Sequence, residues 1–142
     1  MQKQRIYRRK NFTLIELVVV IIILASIASI AVPTYMKRLE AAKVGTAKTQ
    51  LKLLCDAVDQ YKLSVGKYPE GSSGLDALLE NLDQAEKWDG PYIKPRVPLD
   101  PWGNAYIYVA PGEHGDYDII CYGADGQQGG SDNNADIGNW EL

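Results

Sequence analysis

The hydrophobic pattern of the chain opens with 21 residues, Phe12 to Val32, that are apolar apart from Thr13, Glu16, Ser26 and Ser29. A hydrocarbon core of roughly 30 Å needs about 20 residues at 1.5 Å each, so this run is long enough to cross a bilayer as one helix. Helical periodicity resumes directly after Pro33, through Tyr35, Leu39, Ala42 and Ala47 and then Leu51, Leu54, Val58, Tyr61 and Val65. Proline deletes one backbone hydrogen bond and clashes one turn back, which predicts a kink or loosening within one long helix and not its end. From about residue 38 the helix reads as amphipathic. Lys37, Arg38, Lys43, Lys48, Lys52 and Lys62 lie largely away from the Leu51, Leu54, Val58 and Tyr61 stripe, which is therefore expected to pack on a sheet. Gly45 weakens the helix interior by roughly 1 kcal/mol relative to alanine, a cost that close packing or flexibility would explain.

Gly66-Lys67-Tyr68-Pro69-Glu70-Gly71 breaks this pattern. A short helix is expected over about 74–82, with Leu75, Leu78, Leu79 and Leu82 on one side, followed by a proline-bearing loop over 88–98. Residues 105–110 and 116–122 read as strands joined by the Pro111-Gly112-Glu113-His114-Gly115 turn. The pattern predicts an α+β chain, in which a long N-terminal transmembrane and stalk helix packs on a small antiparallel sheet. Roughly 100 residues beyond the apolar run suffice for one compact domain with a modest core.

Charge gives the run a direction. Lys3, Arg5, Arg8, Arg9 and Lys10 precede it with no acid among them, so the positive-inside rule places residues 1–11 in the cytoplasm and sends residues 33–142 outward. The run is longer than the apolar core of a secretory signal and continues into further helix, which argues against its removal as a whole. Hydropathy alone supports a plain signal anchor. Glu16, the one formal charge in the run, is costly in lipid unless it meets a cation or snorkels to the interface. Without the five leader cations the chain has 10 basic and 18 acidic residues, a formal charge of −8, which is a poor surface for nucleic acid.

Cys55 and Cys121 are the only cysteines. In an exported domain they could form a disulfide between stalk and sheet, and two apolar thiols facing one core account for the same positions. They lack metal-ligand spacing. The lone His114 sits in a turn with neither a nucleophile elbow nor a His or Cys cluster, so no enzyme is expected. Trp102 and Trp140 are read as packing residues.

Residues 123–137 alternate hard oxygen ligands with glycines: Gly123, Asp125, Gly126, Gly129, Gly130, Asp132, Asn134 and Asp136. Calcium takes roughly six to eight such oxygens at about 2.3 to 2.6 Å, and glycines let a chain curl around it. Asp132-x-Asn134-x-Asp136 begins like an EF-hand loop but has Ile137 where that loop needs glycine. On composition alone, solvated turns explain the same residues.

Two sets of residues carry a resemblance. Lys10-Asn11-Phe12-Thr13-Leu14-Ile15-Glu16-Leu17 resembles the processing signature of type IV prepilins and pseudopilins, with Asn11 in place of the usual glycine. The resemblance implies a cleaved leader (1–11), an assembly helix (12–32) and a periplasmic domain (33–142). It implies a cut between Asn11 and Phe12 by a prepilin peptidase, and N-methylation of Phe12. It also implies that Glu16 pairs with a neighbouring subunit's N-terminal amine and that Pro33 loosens the stalk during assembly.

Further along, Gly66-Lys67-Tyr68-Pro69, Gly90-Pro91-Tyr92-Ile93, Asp100-Pro101-Trp102-Gly103-Asn104, Pro111-Gly112, Tyr122-Gly123-Ala124-Asp125-Gly126 and Asp136-Ile137-Gly138-Asn139-Trp140 resemble the major pseudopilins of the type II secretion system. That implies a type IV pilin-like fold with a calcium-binding C-terminal loop. Asp125, Asn134 and Asp136 would supply side-chain ligands to one ion, and Tyr122 and Gln127 backbone oxygens. The implied partners are further copies of the chain in a helical homopolymer, minor pseudopilins and an inner-membrane assembly platform. The implied role is growth of a periplasmic pseudopilus that exports folded proteins. A type IV pilin of an extracellular pilus is the alternative, since the N-terminal half fits both.

Overall fold

A computed structural model describes residues 12–142. The leader and the cleavage position Asn11 lie outside the described residues. One helix, α1, runs from Leu14 to Val65 over 52 residues with Pro33 inside it. Because Pro33 has no N–H, the Ser29 carbonyl loses its partner one turn back, and Thr34 adds its hydroxyl to the Ile30 carbonyl at 3.1 Å. The chain divides into two compact units between Leu39 and Glu40.

The first unit is almost all apolar surface. Every large hydrophobic side chain from Phe12 to Val32 is at least 40% exposed, so nothing described in the chain covers this segment. In the second unit the expected stripe is found. Ala47, Leu51, Leu54, Ala57, Val58 and Tyr61 are buried and form one core with Leu75, Ala77, Leu78, Tyr106, Tyr117, Ile119, Cys121 and Ile137. The spacing of three and four residues brings one helix face onto the sheet. Gly45 is exposed with open space around it, so close packing within the chain does not explain it.

The sheet has three antiparallel strands in sequence order: β1 (Ile107–Val109), β2 (Asp118–Cys121) and β3 (Ile137–Gly138). Tyr108 faces Ile119 across the first pair, and Cys121 faces Ile137 across the second. The strands are shorter than the pattern predicts. Ala105 instead forms an isolated bridge to Leu99, and the two-residue β3 carries no alternation from which to foresee it. The expected helix over 74–82 is a 3-10 turn over Gly74–Leu78, and Leu82 is 47% exposed. A tertiary contact ends it early: the Asp83 carboxylate accepts the Tyr61 hydroxyl at 2.7 Å, the Glu70 N–H at 3.2 Å and the Ser73 hydroxyl.

The 111–117 connection is organised by a buried acid. Asp118 Oδ2 accepts the backbone N–H groups of Glu113 at 2.8 Å and His114 at 3.2 Å, and His114 Nδ1 lies 3.0 Å away. His114 is partly exposed, as expected of a turn residue, and its ring stacks on Trp140 at 3.8 Å. Trp140 in turn covers Gly138, where a Cβ would overlap the indole. Of the two tryptophans expected to pack, Trp102 packs against the core, whereas Trp140 is 39% exposed and covers His114 and Gly138 at the surface.

Burial pushes the Asp118 carboxyl up, but His114 and the two backbone donors outweigh it and hold the group below the ordinary carboxylate range. A depressed folded-state value stabilises the fold above the unfolded value, about 3.9, and that contribution disappears as pH falls through the folded value. Thermal unfolding followed from pH 6 to pH 2 is therefore expected to show a fall in stability below about pH 4, and Asp118→Asn is expected to flatten part of it. Leaving the turn donors on a weaker acceptor, the same substitution costs about 1–3 kcal/mol at neutral pH.

Candidate functional site

Two regions carry the expected functional residues, and each is built locally. At the start of α1 the Thr13 hydroxyl accepts the Glu16 N–H at 3.2 Å, while Glu16 Oε2 accepts the Thr13 N–H at 3.4 Å. This is a capping box, in which two otherwise unsatisfied amides at a helix N-terminus gain acceptors reciprocally. Its signature, Thr-x-x-Glu before an apolar run, stands in the sequence, in the spacing of Glu16 from Thr13 and not in its charge. The carboxylate also sits at the positive end of the helix dipole, the favourable end for an anion. Phe12, immediately before it, is 82% exposed.

The second region is the loop from Tyr122 to Asp136. Left-handed backbone at Gly123 (φ 64°), Gly126 (φ 67°), Gly129 (φ 95°) and Gly130 (φ 92°) curls the chain back on itself. The returning arm is held where the Ala124 N–H donates to the Asn133 carbonyl at 3.0 Å. A Cβ on Gly123 would lie 2.9 Å from that same oxygen, so the approach needs glycine. Asp125 Oδ1 accepts the Gln127 N–H at 3.1 Å, and Asp136 Oδ2 accepts the Gly129 N–H at 2.9 Å. Asn134 lies in the 3-10 turn Asp132–Asn134, with its carbonyl against Gly130. Tyr122 is half-buried, and Asp125, Gln127 and Asn134 are exposed.

Among the described residues no three His, Cys, Asp or Glu side chains are gathered as a metal centre. A cation in this loop would therefore draw on amide and main-chain oxygens as well as carboxylates. The residues nevertheless fit a hard cation at one telling point: Asp136 Oδ1 is buried without any hydrogen-bond partner. A carboxylate oxygen shut away from donors is unfavourable, and a calcium ion is the kind of partner that such an oxygen lacks.

The two cysteines, Cys55 on α1 and Cys121 immediately before this loop, are free thiols. Cys121 donates to Asp100 Oδ2 at 3.2 Å. Burial, with Asp100 and Asp136 nearby, pushes its thiol up to about 12, so it remains protonated. Burial likewise raises Cys55. Both serve as core and half-buried thiols, the second of the two readings that the sequence left open.

Comparison with known proteins agrees with this layout. A family profile described as type II secretion system (T2SS), protein G, matches residues 34–140, and the prokaryotic N-terminal methylation motif matches residues 8–32. The type II secretion system core protein G of Pseudomonas aeruginosa is 47% identical over 139 residues, covering 94% of this chain and 96% of that protein. The proteins of the same name from Vibrio cholerae and Aeromonas hydrophila are 43% and 44% identical, each covering 100% of this chain and 97% of theirs. The crystal structure of the major pseudopilin from the type 2 secretion system of enterohaemorrhagic Escherichia coli superposes with a TM-score of 0.64 at 34% identity, over 75% of this chain and 94% of that one. With one profile over residues 34–140, the methylation motif over residues 8–32 and relatives more than 40% identical along nearly the whole chain, the chain belongs to the type II secretion system protein G family.

Proposed function

We propose that the chain is the major pseudopilin subunit of a type II secretion system, stored as a single-pass inner-membrane protein with its N-terminus in the cytoplasm and its domain in the periplasm. One observation carries this reading: the apolar half of α1 is at least 40% exposed at every large side chain and has to be covered by lipid before assembly and by neighbouring helices after it. Family membership favours this reading over the extracellular type IV pilin. In the proposed sequence, a peptidase cuts between Asn11 and Phe12 and Phe12 is N-methylated. An assembly platform then draws subunits from the membrane into a filament with minor pseudopilins, whose growth moves folded proteins across the outer membrane. Contacts of this heterologous kind do not close, and so they build a fibre.

Glu16 has two uses in this scheme. In the lone subunit its carboxylate is engaged by the capping box. In the filament it pairs with the amine of a neighbour's Phe12, and in a low-dielectric bundle an uncompensated carboxylate disfavours any stagger that leaves it alone. Glu16→Ala is expected to insert into the membrane at normal levels and to give no pseudopili and at least a tenfold loss of secreted enzymes. Unchanged filaments and secretion in that variant would reject the pairing.

Calcium is proposed for the C-terminal loop, held by Asp125, Asn134 and Asp136 with the backbone oxygens of Tyr122 and Gln127. The ion supplies a positive charge on which oxygens converge. The loop itself contributes the curl at its glycines and the otherwise unpartnered Asp136 oxygen. The segment has few apolar residues to offset its ordering entropy, so binding would convert it into a fixed contact surface. At calcium about 100-fold above its dissociation constant the stabilisation is about 2.7 kcal/mol, read as a rise in the unfolding temperature that a chelator reverses. Asp136→Asn keeps an acceptor for the Gly129 N–H and is expected to lose most of that rise. A calcium-independent melting curve for the parent protein would refute the assignment.

A further inference from the structure

The Asp100–Asn104 turn makes contacts in two directions. Asp100 is only 5% exposed. Its Oδ1 accepts the Trp102 N–H at 2.9 Å and the Asn104 N–H at 2.8 Å, and its own N–H donates to the Asn104 carbonyl at 2.8 Å. A single oxygen of this buried side chain therefore fixes the backbone from which two side chains project in opposite directions. Asn104 reaches the C-terminal loop: its Nδ2 donates to the Gly123 carbonyl at 3.2 Å, and its amide lies against Gly126, where a Cβ would stand 3.0 Å from Asn104 Oδ1. Gly123 and Gly126 bracket Asp125, so Asn104 touches both ends of the turn that presents that carboxylate.

Trp102 reaches the other way. Its indole Nε1 donates to Glu40 Oε2 at 2.9 Å, across 62 positions in the sequence. Lys43 holds the second oxygen of the same carboxylate at 3.0 Å, and its ammonium lies 6.0 Å from the Trp102 ring centre. Glu40 is the first residue of the second compact unit. The next polar tie from α1 to this region is Gln50, which accepts the Tyr106 hydroxyl at 2.7 Å, almost three helical turns further on.

We propose that Asn104, Asp100 and Trp102 form a strut that positions the Asp125 turn for calcium and transmits the ordering of that loop to α1 at Glu40. The proposal rests on the calcium reading above and goes beyond it by assigning positioning residues outside the loop. Ordering the Gly123 to Gly126 turn removes freedom from Asn104. Through the turn backbone that the Asp100 oxygen holds, it also restrains the main chain that carries the Trp102 indole, and with it the Glu40 carboxylate that this indole holds. By linkage, the held stretch of α1 favours the ordered loop to the same degree. The stretch of α1 over residues 40–47 therefore becomes most resistant to local opening when the loop carries its ion.

The test uses full-length protein in detergent micelles, calcium titration by calorimetry, and hydrogen exchange of the amides of residues 40–47 with and without calcium. In the parent protein, calcium is expected to slow exchange there about tenfold, within the usual range of coupling between sites. Asn104→Ala is expected to weaken calcium binding about tenfold and to lose the slowing. Trp102→Phe keeps an aromatic ring and removes the indole donor. It is expected to bind calcium and lose the slowing, whereas Glu40→Gln, which retains an acceptor, keeps it. Should Asn104→Ala fail to fold, the Trp102→Phe and Glu40→Gln pair decides alone. Calcium uptake by Trp102→Phe with slowing equal to the parent's overturns the strut and leaves the calcium reading intact. A flat calorimetric titration of the parent protein overturns both.

Discussion

The rest of the structure depends on one constraint: a single 52-residue helix must bury apolar surface twice, and the described residues supply cover for only one half. The face bearing Leu51, Leu54, Val58 and Tyr61 is buried in the domain core. The half from Leu14 to Val32 has no such partner among the described residues, and its exposed apolar side chains are unfavourable in water. That imbalance makes the molecule a component, whose apolar half calls for an apolar partner. The polar side chains of this half find partners locally. Ser26 and Ser29 return their hydroxyls to the Ile22 and Ser26 carbonyls at 2.8 Å, and Glu16 closes a capping box with Thr13. Local satisfaction of this kind is what a segment needs before it enters a hydrocarbon core.

The domain beyond it has few strand residues, and three carboxylates organise much of the irregular chain. Asp83 gathers donors from α1 and the 70–73 turn, Asp118 from the 113–114 turn, and Asp100 from the 102–104 turn and from β2. Each collects backbone or hydroxyl donors that would otherwise lack partners, and hydrogen bonds to charged acceptors are stronger than neutral ones. Asp136 follows the same pattern on one oxygen and departs from it on the other, which is the reason a cation is proposed there.

How much of this was legible in the sequence follows the range of the forces involved. The helix, its buried stripe, the 111–115 turn and the glycine-curled loop arise from periodicity and backbone freedom, which neighbouring residues encode. The early end of the helix expected over 74–82 does not, because Asp83 bonds to Tyr61, 22 positions away. The link from Trp102 to Glu40 and the strand Ile137–Gly138 likewise exist only once the fold is formed. The Thr13 and Glu16 capping box was local and readable. The burial of one oxygen of Asp136 was not, since it follows from the packing of the whole loop.

The most direct measurement is electron cryomicroscopy of the assembled filament. The account predicts that residues 14–32 of adjacent subunits pack against one another along the axis, with each Glu16 carboxylate within salt-bridge distance of a neighbour's Phe12 amine. A filament whose axis is built from the domains, with residues 14–32 facing solvent, would contradict it.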